Sequence, residues 1–527
     1  MLASLHSYSQ GVGIGTTTPH PSAQLEISNP SKGLLIPRMN TGSLLGIANP
    51  AKGLMVYDTT KNELVVNMGT PVLPNWKSIA ASNWNINGNS GTNAATHFIG
   101  TTDNVPLLFR MRNVQAGRVD SIYGQTFFGY KAGLNNVSSS TINTAIGYNA
   151  LMVNTTGNIN TAVGAFALQA NTMGTTNTAV GAFAMQDNTT GTQNSAFGVW
   201  ALKNNTVNNF NVAFGFRALE HNAGNSNSAF GNAALTSNST GFANTALGSG
   251  TLAFNNTGSL NVGIGRLTMY NNTSGYNNVA AGAEALHKNT TGYYNAALGD
   301  ASLYSNTTGV GNTACGSGAL YTTTLSSYNT TLGYHAGYAN NLGWNNTLIG
   351  ADCNSNANDR YNSIALGHNV TITANNQARI GNSSTTSIGG FANWSNISDG
   401  RYKKNIREDV RGLDFIMKLR PVTYQLDVNH LSEKLNESSV HRQDSGMEAA
   451  MIEKESMIQS GFIAQEVEQA ATASGYDFSG VDKPKNKDDL YALRYAEFVV
   501  PLVKAVQELE EQVKVLQQQV EELKKTN

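Results

Sequence analysis

The chain has 527 residues, more than one compact core can organise, and a formal net charge of −1 at pH 7. Charged residues make up 13% of it, against a usual share of about 25%, while glycine numbers 53. This balance excludes electrostatic attraction to nucleic acid or to an anionic membrane surface, and 40% apolar residues exclude disorder driven by charge repulsion.

The averages hide three regions. Residues 401–527 hold 18 basic and 22 acidic side chains, whereas residues 141–360 hold 11 charges in all. Eight of the 11 prolines lie at or before Pro106 and the others are Pro421, Pro484 and Pro501, so residues 107–420 contain none. A stretch so long without proline points to continuous backbone hydrogen bonding.

In chain order, residues 1–9 resemble the remnant of a secretory signal peptide. Ser7-Tyr8-Ser9 has the small-x-small form of a cleavage site, with Gln10 beginning the mature chain. That reading implies a secreted or surface-displayed protein; the competing one is a short cytoplasmic start, because no basic segment precedes the apolar residues. No apolar run approaches the ~18 residues of a membrane helix, so no membrane span is expected. Residues 10–100 contain short β-type runs at 12–16, 33–39 and 53–60, bounded by Gly and Pro. They resemble the leading segments of secreted fibre proteins, in which pieces such as Gly33-Leu34-Leu35-Ile36-Pro37-Arg38 and Val56-Tyr57-Asp58-Thr59-Thr60 recur. The resemblance implies an attachment or capping region that starts a fibre.

Residues 101–397 form one repetitive body, regular over 143–367. A unit of the form Asn-Thr-Ala-Val-Gly-x-x-Ala-Leu-x-x-Asn-Thr-Thr-Gly-x-x recurs there, with fourteen landmark glycines from Gly147 to Gly367. Twelve of the thirteen intervals equal that from Gly147 to Gly164, and the other, Gly215 to Gly231, is shorter by one. An Asn lies four positions before each of the first thirteen glycines, from Asn143 to Asn346. A unit of about 17 residues cannot bury an apolar face alone, so neighbours must stack. At about 4.8 Å per strand, fourteen coils make a rod roughly 65 Å long. The Asn, Thr and Gly content and the lack of a 3.6-residue period disfavour a helical solenoid. The fixed Gly suits close backbone approach or positive φ, and Asn in register suits side-chain ladders. The pattern resembles the head repeats of trimeric autotransporter adhesins, which implies a β-roll packed about a three-fold axis. Those repeats are commonly shorter by three, a spacing met here only at the last step, Gly367 to Gly381. Phe98-Ile99-Gly100 and Phe128-Gly129 read as irregular coils leading into the array.

No metal or cofactor site is expected. Cys315 and Cys353 occupy different phases of the repeat and read as buried small residues, not as a disulfide. Glycoside hydrolysis needs two carboxylates about 5 to 10 Å apart, and no two acidic residues share a phase in neighbouring coils. Trp200, Tyr276, Tyr293, Tyr294 and Trp344 are open to two readings, sugar-stacking rings or surface decoration.

After Trp394 the composition changes to Ser398-Asp399-Gly400-Arg401-Tyr402-Lys403-Lys404-Asn405-Ile406, followed by Gly412-Leu413-Asp414-Phe415, Leu419-Arg420-Pro421-Val422-Thr423-Tyr424 and Gly461-Phe462-Ile463-Ala464-Gln465-Glu466-Val467-Glu468. This ordered set resembles the endosialidase-type intramolecular chaperone domain of phage tail spikes, a self-cleaving serine peptidase family also found in a membrane-tethered myelin transcription factor. The resemblance spans about 394–509 and places a chaperone and autoprotease domain at 398–500. It implies assembly of three chains, folding of the upstream fibre, and a cut at Ile397-Ser398 with Ser398 as nucleophile and Lys403 as general base. A lysine whose pKa is depressed by burial can take the serine proton, and an N-to-O acyl shift is one route. Donors for the oxyanion are not identifiable in the sequence. Related domains also remain uncleaved and act as trimerisation caps.

Residues 501–527 read as a coiled-coil helix. Leu502, Val506, Leu509, Val513, Leu516, Val520 and Leu523 alternate spacings of four and three, with Pro501 in the first turn. Val at a and Leu at d favours two strands, whereas the resemblance implies three. Residues 436–460 read as a polar surface excursion. The expected fold is mainly β, a trimeric β-roll or solenoid rod of ~17-residue coils followed by a small α+β chaperone domain ending in a coiled coil. The expected function is a homotrimeric adhesin-like or tail-fibre-like protein whose partner is itself, with a host-surface or glycan receptor as a further partner. The alternatives are a phage tail fibre or spike, located on the virion, whose body binds or depolymerises a glycan, and an uncleaved structural fibre.

Overall fold

The computed structural model describes residues 11–79, 88–93, 95–136, 142–338, 343–437 and 445–526. The expected signal remnant at residues 1–9, with its cleavage site at Ser7-Tyr8-Ser9, lies outside them. The chain divides into two compact units, Met1–Thr102 and Asp103–Asn527.

In the first unit β1 (Val12–Ile14) pairs parallel with β2 (Leu25–Ile27). A four-stranded sheet follows in the order β3 (Arg38–Met39), β4 (Met55–Asp58), β5 (Glu63–Asn67) and β6 (Trp76–Ser78). The helix α1 (Thr41–Leu45) starts where the Asn40 side chain accepts from the Ser43 N–H. Leu44, Val56 and Val65 form the core, with Trp76 against it. Of the apolar run at 33–39 only Arg38 and Met39 pair; Leu34 and Leu35 are 64% and 77% exposed. Residues 98–100 carry no strand, so Phe98-Ile99-Gly100 is not a leading coil.

The second unit opens with an antiparallel meander, β7 (Leu107–Met111), β8 (Val114–Asp120) and β9 (Gln125–Phe128). β9 then pairs parallel with the first regular coil strand, Thr126 against Thr144, so Phe128-Gly129 does join the stack. From Thr144–Ile146 each three-residue strand pairs with its counterpart in the next coil, Thr144 with Thr161 and Thr161 with Thr178, as far as Ala378–Ile380. This constant offset shortens by one where Val212 meets Ser228 and by three where Ile364 meets Ala378. No register joins β7 to Ala378–Ile380, so the ladder has two ends.

Strand alternation sorts each coil. The middle residue, such as Ala162 or Ala179, points inward and is fully buried, and Leu168, Met185, Leu202 and their counterparts fill the remaining core. The landmark glycines hold positive φ, for example 129° at Gly265, where a Cβ would lie 2.6 Å from the carbonyl oxygen of Gly282 in the next coil. Cys353 is buried in this core, but Cys315 occupies an outward strand position and is half-buried, so the expected burial holds for one of the two free thiols.

The C-terminal region packs Phe415, Val467, Ala470, Ala471, Phe478 and Phe498 into a core. Its helices are α2 (Leu413–Ile416), α3 (Val428–Lys434), α4 (Ser445–Ser456), α5 (Ala464–Ala473) and the 28-residue α6 (Val499–Thr526). The segment 436–460 contains α4, where a surface excursion was expected. Its residues are good helix formers without an apolar stripe, so no period announces the helix. α6 begins two residues before Pro501, which sits in its first turn as the missing N–H permits.

Candidate self-processing site

The segment 386–397 leaves the solenoid without regular structure. Chain direction is regained at Asp399, whose carboxylate accepts from the backbone N–H of Arg401 and caps a single 3-10 turn, Gly400–Tyr402. The Arg401 guanidinium returns to the same carboxylate, with Nη2 to Oδ2 at 2.6 Å. These bonds from Arg401, led by its side chain, hold Asp399 below the usual carboxylate range. The turn ends at Lys403, whose N–H donates to the Gly400 carbonyl at 3.2 Å. This closure swings a side chain five residues downstream back onto Ser398, so that Lys403 Nζ donates to Ser398 Oγ at 2.8 Å.

Ser398 and Lys403 are therefore in contact, but both are exposed in the single chain. So are the apolar residues around them, Trp394 at 86%, Ile397 at 94%, Tyr402 at 78% and Ile406 at 76%. The burial that would favour a neutral lysine is absent from one chain alone.

Residues 398–476 match the family model described as chaperone of endosialidase. Residues 13–94 match the phage tail like trimerisation region. No curated protein matches the chain. The chaperone match opens at Ser398 itself, and a trimerisation region before the β-solenoid in sequence, with a chaperone region after it, supports a tail-fibre-like trimeric protein.

Between the chaperone region and the last coil lies a polar contact that the sequence reading missed. Arg379 takes the inward middle position of the last strand, paired with Ala365 of the coil before. Its guanidinium donates to the Thr371 carbonyl at 2.8 Å and to Thr373 Oγ1 at 3.1 Å. From the chaperone region, Glu437 accepts from the Ser383 N–H at 2.9 Å and from its hydroxyl at 2.5 Å, and Asp489 accepts from the Thr373 hydroxyl at 2.6 Å. The available signal was an arginine where other coils place a small or apolar residue.

The seam residues of α6, from Leu502 to Leu523, are 43–65% exposed and unpartnered in one chain. On the solenoid, several rings stack on one another. Tyr270, His287, Tyr304 and Tyr321 follow at centroid distances of 5.5, 5.1 and 4.9 Å with interplanar angles of 5 to 6°, and Tyr276 covers Tyr293 at 4.7 Å. Rings stacked this way cover one another's faces, whereas Tyr294, edge-on to Tyr276 and Tyr293, and Trp344 are 58% and 56% exposed. Two of the acidic side chains pair with bases, Glu284 with Arg266 at 2.6 Å and Glu220 with Arg217. Among the described residues no group of three or more His, Cys, Asp or Glu is placed to hold a metal ion, and no helix is long and apolar enough to cross a membrane.

Proposed function

We propose that the chain is a homotrimeric fibre, extracellular or virion-associated, whose C-terminal chaperone region drives assembly and then cuts its own chain once, between Ile397 and Ser398. The single observation that carries the chemistry is the 2.8 Å hydrogen bond between Lys403 Nζ and Ser398 Oγ. A neutral Lys403 takes the hydroxyl proton, Oγ bonds to the Ile397 carbonyl carbon, and the Ile397–Ser398 C–N bond breaks as the proton passes to the departing amine. Water then hydrolyses the ester, leaving an Ile397 carboxylate and a new N-terminus at Ser398.

Such a lysine must be neutral, and desolvation is what favours that form. The exposed apolar side chains of Ile397, Tyr402 and Ile406 are surfaces that two further copies would cover, drying the dyad. The enzyme activity is thus intramolecular and follows assembly. Denaturing electrophoresis tests it: a fragment of about 14 kDa, estimated from its length at normal residue mass, begins at Ser398 and disappears in Ser398→Ala and Lys403→Ala. A wild-type chain that runs only at full length overturns the cleavage and leaves an uncut fibre cap.

A further inference from the structure

Exposed aromatic rings gather on one edge of the solenoid, in the turn just before the recurrent Asn. In earlier coils the two residues before that Asn are Asn158-Ile159, Thr175-Thr176, Thr192-Gln193 and Asn225-Ser226, so the turn itself requires no ring. From Tyr276 onward the same pair, ending with the one before Ser363, supplies Tyr276, Tyr293, Tyr294, Tyr328, Trp344 and Tyr361. None of these pairs contains a charged residue.

The turns stack in register. Tyr294 donates its N–H to the Tyr276 carbonyl at 3.2 Å, Gly311 to Tyr293 at 3.1 Å, Tyr328 to Val310 at 2.9 Å and Asn362 to Trp344 at 3.0 Å. The rings are thus pinned to a ladder of about 4.8 Å rise, and the line from Tyr276 to Tyr361 runs roughly 24 Å. Tyr276 covers Tyr293, but Tyr294 stands edge-on to both and, like Tyr328 and Trp344, is more than half exposed. Gly311, in the coil between Tyr294 and Tyr328, carries no side chain to fill the gap and seats the second ring: a Cβ there would lie 2.9 Å from Cδ1 of Tyr328. Two coils set Tyr294 and Tyr328 about 10 Å apart.

We propose that this edge binds a neutral, extended β-linked polysaccharide, laid along the rod with sugar faces on Tyr294, Tyr328 and Trp344. The two-coil step is close to the length of a disaccharide unit in such a chain, where alternate sugars turn the same face down. A pyranose presents a C–H face ringed by hydroxyls, and here rings alternate with half-buried Ser327 and the exposed amides of Asn345 and Asn362. A lipid tail or an apolar helix needs a continuous apolar patch instead. Uncharged turns offer no partner to a uronic or sialic acid, which basic side chains would meet. Asp359 and Arg360 adjoin only the last ring, Tyr361. Such binding requires neither assembly nor the cut.

Affinity electrophoresis of the full chain, in native gels containing hydroxyethyl cellulose, glucomannan or glycol chitin, tests it. Retardation is expected in at least one of the three and not with dextran or polygalacturonate, which are α-linked and, in the second case, acidic. Tyr294→Ala, Tyr328→Ala and Trp344→Ala should each weaken binding about three- to tenfold, the loss of one ring contact. Tyr328→Phe keeps the ring, and Phe210→Ala removes one on the same turn beyond the line, so both should bind as wild type does. No retardation in any of the three polymers, equal retardation of the alanine variants, or retardation as strong with dextran or polygalacturonate overturns the proposal. So does an alanine variant whose sedimentation departs from wild type, which marks the edge as a contact between copies of the chain.

Discussion

At the scale of single residues the fibre depends on groups that are individually unfavourable. Asn261 is fully buried, which an amide tolerates only when each of its polar atoms is matched. Its Nδ2 donates to Asn244 Oδ1 at 3.1 Å and to the Gly275 carbonyl at 2.9 Å, while its Oδ1 accepts from the N–H and Nδ2 of Asn278, both at 3.1 Å. The same four bonds recur one coil later at Asn278, so each amide is satisfied by its neighbours in the stack. Asn261→Leu keeps the number of side-chain heavy atoms but orphans partners in the coils on either side, and it should cost about 3 kcal/mol or more. An array of repeats does not melt in one step, so the measurement is amide exchange. Protection is expected to fall at residues 245–247, 262–264 and 279–281 and to hold in distant coils. The period of Asn and Gly made this ladder legible in the sequence. It did not reveal that Phe166, Leu168 and Thr176 hold φ of 62°, 50° and 57°, because a repeat pattern records which residues recur and not the backbone region they occupy. Such left-handed residues each cost of order 1 kcal/mol, and they persist because pairing on both sides of the coil leaves no other conformation.

At the scale of elements, a parallel ladder has to be stopped, since its last strand is an open template for another. Arg379 does this by replacing a small inward residue with a guanidinium, which no further apolar coil can cover. Burial pushes its pKa down, and the carboxylates of Asp489 and Glu437 oppose that shift. The last coil was recognisable from its shortened spacing, yet its partner was not, because Glu437 and Asp489 lie far downstream of Arg379, in the charged C-terminal region, and follow no repeat. The contact has a pH dependence of known sign. Burial raises the pKa of Asp489, but the Thr373 hydroxyl, the N–H groups of Lys485 and Leu490 and the nearby Arg379 outweigh it and hold it below the ordinary carboxylate value. A carboxylate with a lowered folded pKa contributes its full stabilisation above the unfolded value of about 3.9 and loses it as pH falls through the folded value. Exchange at residues 371–380 should therefore accelerate below about pH 4 relative to mid-solenoid coils. Asp489→Asn should show weaker protection at neutral pH and a smaller acid response; an unchanged profile would mean that the chaperone region does not brace the last coil through this carboxylate.

At the scale of the whole molecule, the bare surfaces imply an order of events. The α6 seam with Val and Leu at alternating core positions was legible from its heptads, but the heptads alone favour two strands, and the match to a trimerisation region points to three. The exposed dyad was legible only as a motif. No pattern in one chain tells whether further copies would cover it. If Lys403 is dried only in the assembled state, cutting must wait for assembly, which protects an unfinished fibre from losing its chaperone early. Leu509→Asp places charge in the seam at a residue that is 50% exposed in the single chain, so it should leave the monomer's own core intact while blocking association. The variant is then expected to stay uncut at full length. Wild-type protein refolded over a hundredfold range of concentration gives the kinetic counterpart, read as the rate at which the Ser398 fragment appears. A cut that requires association slows on dilution, whereas a dyad competent within one chain proceeds at the same rate at every concentration and cleaves Leu509→Asp as readily as wild type.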